Sequence, residues 1–202
     1  INKILAIELS KLFLEVIIAN NFDTNALKIL KKKKNLRIIN AKKFITNDIV
    51  KFNSVNESIL AQSEDLKKFD IKNFKIVSKR KPTRSQLQNL IFAFNVCKYV
   101  KSNAIVLVSE GATIGIGSGQ PSRLDSCKIA IDKMRKFNSY NEEIVAASDA
   151  FFPFIDGVEK LVQSGVSAVI QPAGSIRDKE IIKFANQTKT VLVFSNTRHF
   201  RH

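Results

Sequence analysis

The residues best suited to chemistry gather in the second half of the chain, where three loops lead into helix starts: Gly115 to Ser122, Phe151 to Asp156, and Pro172 to Ser175. A helix start presents free backbone N–H groups and the positive end of the macrodipole, so each of these places suits a phosphate or a carboxylate. The loop Gly115-Ile116-Gly117-Ser118-Gly119-Gln120-Pro121 lacks both the GKS/T ending of a P-loop and the GxGxxG spacing of a dinucleotide site. A hairpin or strand exit would use its glycines equally well. Arg123 falls in the first turn of the next helix, where a cation opposes the dipole unless an anion lies nearby; a solvated arginine is the alternative. In Ala147-Ser148-Asp149-Ala150-Phe151-Phe152-Pro153-Phe154, three aromatics surround a proline next to Asp149 and Asp156. Rings bury the faces of a flat heterocycle while a carboxylate accepts from its edge, but a corner of the core would use the same residues. Both histidines, His199 and His202, stand in the terminal Arg198-His199-Phe200-Arg201-His202. Catalysis there requires the tail to dock, and its arginines could instead anchor an anion. No Ser-His-Asp set, metal triad or pair of catalytic carboxylates assembles from the sequence.

The elements that must position these residues are sharpest after Pro82. Thr83 and Gln86 make a capping box, and Leu87, Leu90, Ile91, Phe94 and Cys97 recur on one helical face. Ala104 to Val108 and Ala112 to Ile116 flank Glu110-Gly111 as a hairpin. Ser122 with Asp125 makes a second capping box, ahead of a helix bearing Cys127, Ala130, Ile131 and Met134 on one face. Asp156 to Ser164 reads as a helix closed by Gly165, Ser167 to Ile170 as a strand, Ser175 with Asp178 as another capping box, and Val191 to Phe194 as the last strand. Before Pro82 the expected elements are a helix at Leu5 to Phe13, a strand at Glu15 to Ala19, a helix from Thr24 into the lysine run, and strands at Leu36 to Ile39, Ile59 to Ala61 and Phe74 to Val77. Strand and helix alternate, which argues for a layered α/β domain with a mixed sheet covered by helices.

The chain has 202 residues, enough for one good core or two small ones. It begins at Ile1 rather than Met, so a fragment is expected, with its true start upstream. No apolar run has the length of a membrane span. Cys97 and Cys127 stand thirty positions apart without a CxxC, which signals neither a disulfide framework nor zinc and fits a reducing cytoplasm. The net charge of +15 invites a nucleic-acid partner. The basic residues are nevertheless dispersed, apart from Lys31 to Lys34 and Lys79-Arg80-Lys81, and they lack aromatic interleaving, so a solvated surface is the preferred reading. Two rivals from other classes are a binding module for RNA or nucleotide and a metal-dependent deaminase.

The segments KYVKSNAIVLV, TIGIGSGQPSR, ASDAFFPFIDG, AVIQPAGSIRD and TRHFRH, in this order and spacing, resemble the C-terminal part of the formyltransferase domain of the bifunctional AICAR formyltransferase/IMP cyclohydrolase family. EVIIA at Glu15, ALKILKKKKNLRII from Ala26 and SKRKPT from Ser78 extend the likeness over essentially the whole chain. The resemblance implies a three-layer α/β/α unit like cytidine deaminase but without its zinc, since the HxE and PCxxC signatures are missing. It implies a connecting part at 1–81 and a deaminase-like unit at 82–202, with the cyclohydrolase domain and the first deaminase-like unit outside this sequence. The implied reaction moves a formyl group from 10-formyltetrahydrofolate to the amine of 5-aminoimidazole-4-carboxamide ribonucleotide in purine biosynthesis. The family's lysine-histidine pair would lie in the earlier unit and its active sites at a homodimer interface, so the fragment alone is expected to be inactive.

By motif matching, the resemblance places Asn103 at the transferring formyl group, Arg198 on the nucleotide phosphate and Phe151 beside the imidazole. Asp156 would accept from the pterin edge, and Pro153, Phe154, Arg123, Leu124 and Ser175 would line the folate pocket. Potassium is implied near Ser102 and Asp149, and no other metal. The partners implied are the nucleotide and the folate, with neither a membrane nor a nucleic acid. Three positions depart from the family pattern: Ile155 replaces the arginine of FFPFRD, Phe94 replaces a common tryptophan, and Glu57-Ser58 replace Gly-Gly. The first alters the polarity expected of the folate pocket.

Overall fold

A computed structural model of the chain describes residues 1–42, 50–67, 69, 71–137 and 143–201. Two compact units divide it, Ile1–Glu64 and the residues from Asp65 onward. In the first unit, helix α1 (Lys3–Lys11) is opened by Asn2, whose side chain accepts from the Leu5 amide at 2.9 Å. Strand β1 (Val16–Ala19), helix α2 (Thr24–Leu30) and strand β2 (Arg37–Asn40) then make a parallel crossover, with Val16 opposite Arg37. Ala6, Ile17, Phe22, Ala26 and Leu30 form its small core. An antiparallel hairpin follows, β3 (Val50–Val55) and β4 (Ser58–Ser63), with Asn56 at positive φ in the turn beside the Glu57-Ser58 departure. The strand expected at Ile59 to Ala61 lies within β4, whereas its partner was not foreseen because Lys51, Asn53 and Ser54 make β3 read as polar chain.

The second unit is built on one mixed sheet. Its strands are β5 (Lys75–Ile76), β6 (Ile105–Ser109), β7 (Ala112–Gly117), β8 (Ile144–Ser148), β9 (Val166–Gln171) and β10 (Val191–Phe194), in the spatial order β5-β10-β9-β8-β6-β7. Strands β8, β9 and β10 run parallel, while β6 pairs antiparallel with β8, β7 with β6, and β5 with β10. The parallel strands are joined by helices α5 (Ile155–Gln163) and α6 (Asp178–Gln187). Each strand sends alternate side chains to opposite faces. From β6, Ile105 and Leu107 meet the side of helix α4 (Arg123–Phe137), α5 and α6, where Cys127, Ala130, Ile131, Met134, Leu161 and Ile181 lie. Val106 and Val108 meet helix α3 (Arg84–Cys97) through Leu90, Ala93, Phe94 and Cys97. The result is an α/β unit with a mixed sheet and helices on both faces, as expected. Central strands covered on both sides read as unbroken apolar runs, which is why β6, β9 and β10 were legible.

Local signals explain the helix starts. Thr83 and Gln86 complete their capping box: Thr83 Oγ1 accepts from the Gln86 amide at 3.1 Å, and Gln86 Oε1 accepts from the Thr83 amide at 3.0 Å. Glu110 and Gly111 both take positive φ in the β6–β7 turn, and Gly165 at φ +99 closes α5. One expectation needs correction. Ser175 and Asp178 make no capping box, since α6 starts at Asp178, the Ser175 hydroxyl accepts from the Arg177 amide at 3.2 Å, and Asp178 accepts from the Gly174 amide at 2.8 Å. The two side chains close the turn before the helix instead.

The glycine-rich run resolves in favour of packing. Gly115 and Gly117 belong to β7, and a Cβ at either position would collide with the backbone carbonyl of Ala130 or Ser126. Their missing side chains let α4 lie directly on the strand. Gly117→Ala is therefore expected to destabilise the protein by about 1–3 kcal/mol, the usual penalty of overpacking. Urea unfolding checks this: the midpoint should fall while the slope m stays unchanged.

Candidate functional site

A cavity of about 430 Å³ opens at one end of the sheet, lined by Asn103, the start of α4, the turn after β8, and the chain end. Pairing fixes why these segments meet. Ile105 opens β6 opposite both Ser148, which closes β8, and Gly117, which closes β7, so the N-terminal end of β6 lies with the C-terminal ends of its neighbours. In open α/β sheets that end, where strand order reverses, is the usual place for a ligand crevice.

Beneath the cavity lies a buried polar network centred on the ion pair between Arg123 Nη1 and Asp149 Oδ1, whose side chains are 7% and 0% exposed. Arg123 also donates to Ser148 Oγ at 2.8 Å and, through Nη2, to Asn103 Oδ1 at 2.8 Å. Ser102 Oγ donates to the second Asp149 oxygen at 2.5 Å. Because Arg123 claims Asn103 Oδ1, the Asn103 amide nitrogen must face the opposite way, donating to Gln120 O at 2.9 Å and Pro121 O at 3.3 Å. The Ser126 hydroxyl holds the Asn103 carbonyl at 2.8 Å. The cation in the first turn of α4 thus has its anion within the protein.

The aromatic cluster divides between the two readings it allowed. Phe152 is core, 1% exposed, pressed against Gly157, and its amide donates to Gln171 Oε1 at 3.0 Å. Phe151 and Phe154 face the cavity with Pro153 and Asp156. The Arg198 guanidinium lies 4.8 Å from the Phe151 ring centroid, and Arg177 lies 5.2 Å from that of Phe154. Asp156 accepts from the Gly157 amide at 2.7 Å.

The cavity therefore gathers Asn103, Arg123, Leu124, Phe151, Pro153, Phe154, Asp156 and Arg198. Ser175 is not among the residues lining it. Arg201 is committed elsewhere, donating to the Tyr99 carbonyl at 2.9 Å. His202 lies outside the described residues. Sequence reasoning missed β8 as a strand and missed the docking of His199, which is buried and paired with Asp65. Nothing in the local pattern joins residues so far apart.

No group of three or more His, Cys, Asp or Glu able to hold a metal occurs among the described residues. Among them, no helix is long and apolar enough to cross a membrane. Both cysteines are free and buried. Burial raises the Cys97 thiol well above its usual range, with the Asp149 charge adding to the effect, and burial pushes Cys127 up to about 12.

Two outcomes follow from the buried groups. Asp149→Asn leaves the Arg123 charge buried and unpaired, and should cost about 3–5 kcal/mol in a denaturant melt. Thiols that are harder to ionise in the folded chain than in the unfolded one contribute stability that is complete below the unfolded value of 9.0 and is lost as pH rises toward about 12. Urea midpoints across that alkaline window should fall, and Cys97→Ala with Cys127→Ala should flatten the decline.

A profile described as the AICARFT/IMPCHase bienzyme matches residues 1–133 of the chain. The chain is 44% identical over 197 residues to the bifunctional purine biosynthesis protein PurH of Ligilactobacillus salivarius, an alignment covering 96% of this chain and 38% of that protein. Proteins of the same name from Aquifex aeolicus and Clostridium botulinum are each 44% identical, over 195 and 204 residues, covering 96% and 100% of this chain and 38% and 39% of their own length. The chain thus spans well under half the length of these curated relatives. With the profile match covering most of the sequence and the likeness to PurH proteins covering nearly all of it, the chain belongs to the AICARFT/IMPCHase bienzyme family.

Proposed function

We propose that this chain supplies one wall of a formyltransferase site that transfers the formyl group of 10-formyltetrahydrofolate to the amine of 5-aminoimidazole-4-carboxamide ribonucleotide. The observation that carries the reading is the single cavity in which Asn103, Arg198 on its Phe151 face, and Asp156 come together. Membership of the AICARFT/IMPCHase family, and the likeness to bifunctional purine biosynthesis proteins, support this choice of substrates.

In this reading the substrate amine attacks the formyl carbon, the bond to N10 of the folate breaks, and the proton lost by the amine ends on N10. Negative charge gathers on the formyl oxygen as the new C–N bond forms. Asn103 is held to meet it, because Arg123 fixes its Oδ1 and leaves the amide N–H groups directed toward the loop carbonyls. The longer of those bonds, to Pro121 O at 3.3 Å, is the one to exchange for the developing oxyanion. Arg198 presents its guanidinium to the nucleotide phosphate while Phe151 covers the imidazole, and Asp156 accepts from the pterin edge beside Phe154, Pro153 and Leu124. Ser175, outside the cavity lining, keeps a folate role only through the extended part of that cosubstrate.

Ser102 and Asp149 offer one hydroxyl and one carboxylate oxygen to a potassium ion, provided the Ser102 hydrogen turns away from Asp149. Such an ion would supply only charge and coordination that fix the Ser102-Asn103 segment.

Among the described residues, the cavity lining contains no histidine and no lysine. The amine is a weak nucleophile, so the base comes from the remainder of a longer protein, completed in a cytoplasmic homodimer. The chain's share of its relatives' length supports that division.

The test is a formyl-transfer assay following tetrahydrofolate release, on this chain and on the chain extended to the length of its relatives. Activity only in the extended protein is expected; activity in neither would sink the reading. In the extended protein Asn103→Ala should lower kcat by roughly a hundredfold, the scale of a lost oxyanion donor. Unchanged turnover would remove Asn103 from the mechanism.

A further inference from the structure

Residues 195–201, beyond β10, have no regular structure, yet they form one wall of the cavity through Arg198 and Phe200. Something must hold this tail there. Asp65, Lys67 and Phe69 each make a contact with it or with its bed. Asp65 Oδ2 pairs with His199 Nδ1, and Lys67 Nζ donates to Thr197 Oγ1 at 2.8 Å. The Phe69 ring stands 4.5 Å from Phe94 and 6.5 Å from His199, whose own ring is 4.5 Å from Phe94. The His199 amide adds a bond to the Asp149 carbonyl at 2.9 Å, tying the tail to the floor of the cavity.

The His199 ring is 1% exposed, and its Nε2 is buried without a partner among the described residues. A hydrogen on Nε2 would be a buried orphan donor, so the favoured neutral tautomer carries its hydrogen on Nδ1 and donates it to Asp65. In extended chain, successive side chains alternate in direction. Residue 199 packs on Phe94, while its neighbours 198 and 200 line the cavity.

We propose that Asp65 and His199 are positioning residues: Asp65, with Lys67 and Phe69, forms a strap that clamps the chain end and so sets Arg198 against Phe151. The proposal rests on the reading of Arg198 as the group that grips the nucleotide phosphate. Neither Asp65 nor His199 lines the cavity, so both act only through the tail.

The experiment uses the chain extended to the length of its relatives, with two readouts: affinity for 5-aminoimidazole-4-carboxamide ribonucleotide, and amide exchange across residues 195–201. Asp65→Ala and His199→Leu should each weaken nucleotide binding roughly tenfold, the scale of one well-placed hydrogen bond, and speed exchange in the tail. His199→Asn, which returns an N–H near the Nδ1 position, should recover most of the affinity. The double variant Asp65→Ala with Arg198→Ala should bind no worse than Arg198→Ala alone, because the strap works through that arginine. Losses that add in the double variant, or tail exchange unchanged in Asp65→Ala, would overturn the proposal. If Arg198→Ala itself leaves nucleotide affinity intact while Asp65→Ala still speeds tail exchange, the phosphate reading of Arg198 fails and the clamp stands.

Discussion

Much of the second unit's architecture converges on the buried pair of Arg123 and Asp149. Two charges taken out of water are costly, and their attraction offsets that cost only when the remaining donors and acceptors are also satisfied. Here they are. The Asp149 carboxylate takes Arg123 on one oxygen and the Ser102 hydroxyl on the other, while Arg123 divides its remaining bonds between Ser148 and Asn103. The backbone joins in, since Asp149 donates to the Ala104 carbonyl at 3.2 Å and accepts from the His199 amide at 2.9 Å. One residue pair thereby gathers the end of β8, the start of β6, the start of α4 and the chain terminus.

The sheet makes this convergence possible. Strand β6 enters beside β8 in the antiparallel sense, which brings a strand start into line with strand ends. The glycines of β7 let α4 approach closely enough for its first turn to reach under the β8 end. A cation in that turn would be unfavourable against the helix dipole by itself, and the buried carboxylate paired with it offsets that. The polar floor is a consequence of packing, and the orientation of the Asn103 amide is a consequence of the floor.

Much of this was legible in advance, and what was not has a physical reason. The strands β6, β9 and β10 are covered on both faces, so their sequences are continuous and apolar; β3 is exposed along its length and hides among polar residues. The capping box at Thr83 was readable because it is a local device, whereas Ser175 and Asp178 carry the same letters in a turn that closes differently. Residue types alone could not choose between a pocket and a core corner for the aromatics of the β8 turn. The structure buries Phe152 in the core, while Phe151 and Phe154 present their rings at the cavity. The pairing of Asp65 with His199 spans most of the unit and leaves no periodic trace.

The cavity is better equipped to hold than to take a proton. Among the described residues its lining offers arginines, aromatic faces, an amide and one carboxylate, Asp156, which already accepts from the Gly157 amide. Such a set fits the binding and alignment of an anionic, flat-ringed substrate, and it stabilises charge that develops on an oxygen. Removing a proton from a weakly basic aromatic amine requires a group of another kind, matched in basicity to the task. On the proposed reading that group comes from chain outside these residues, and the precision with which Asn103, Arg123 and the tail are fixed then has a purpose. A site assembled from separate pieces works only if each piece presents its half without further rearrangement. Rigid support beneath the surface, from Asp149 below and the Asp65–His199 pair beside the tail, is what a half-site of that kind demands.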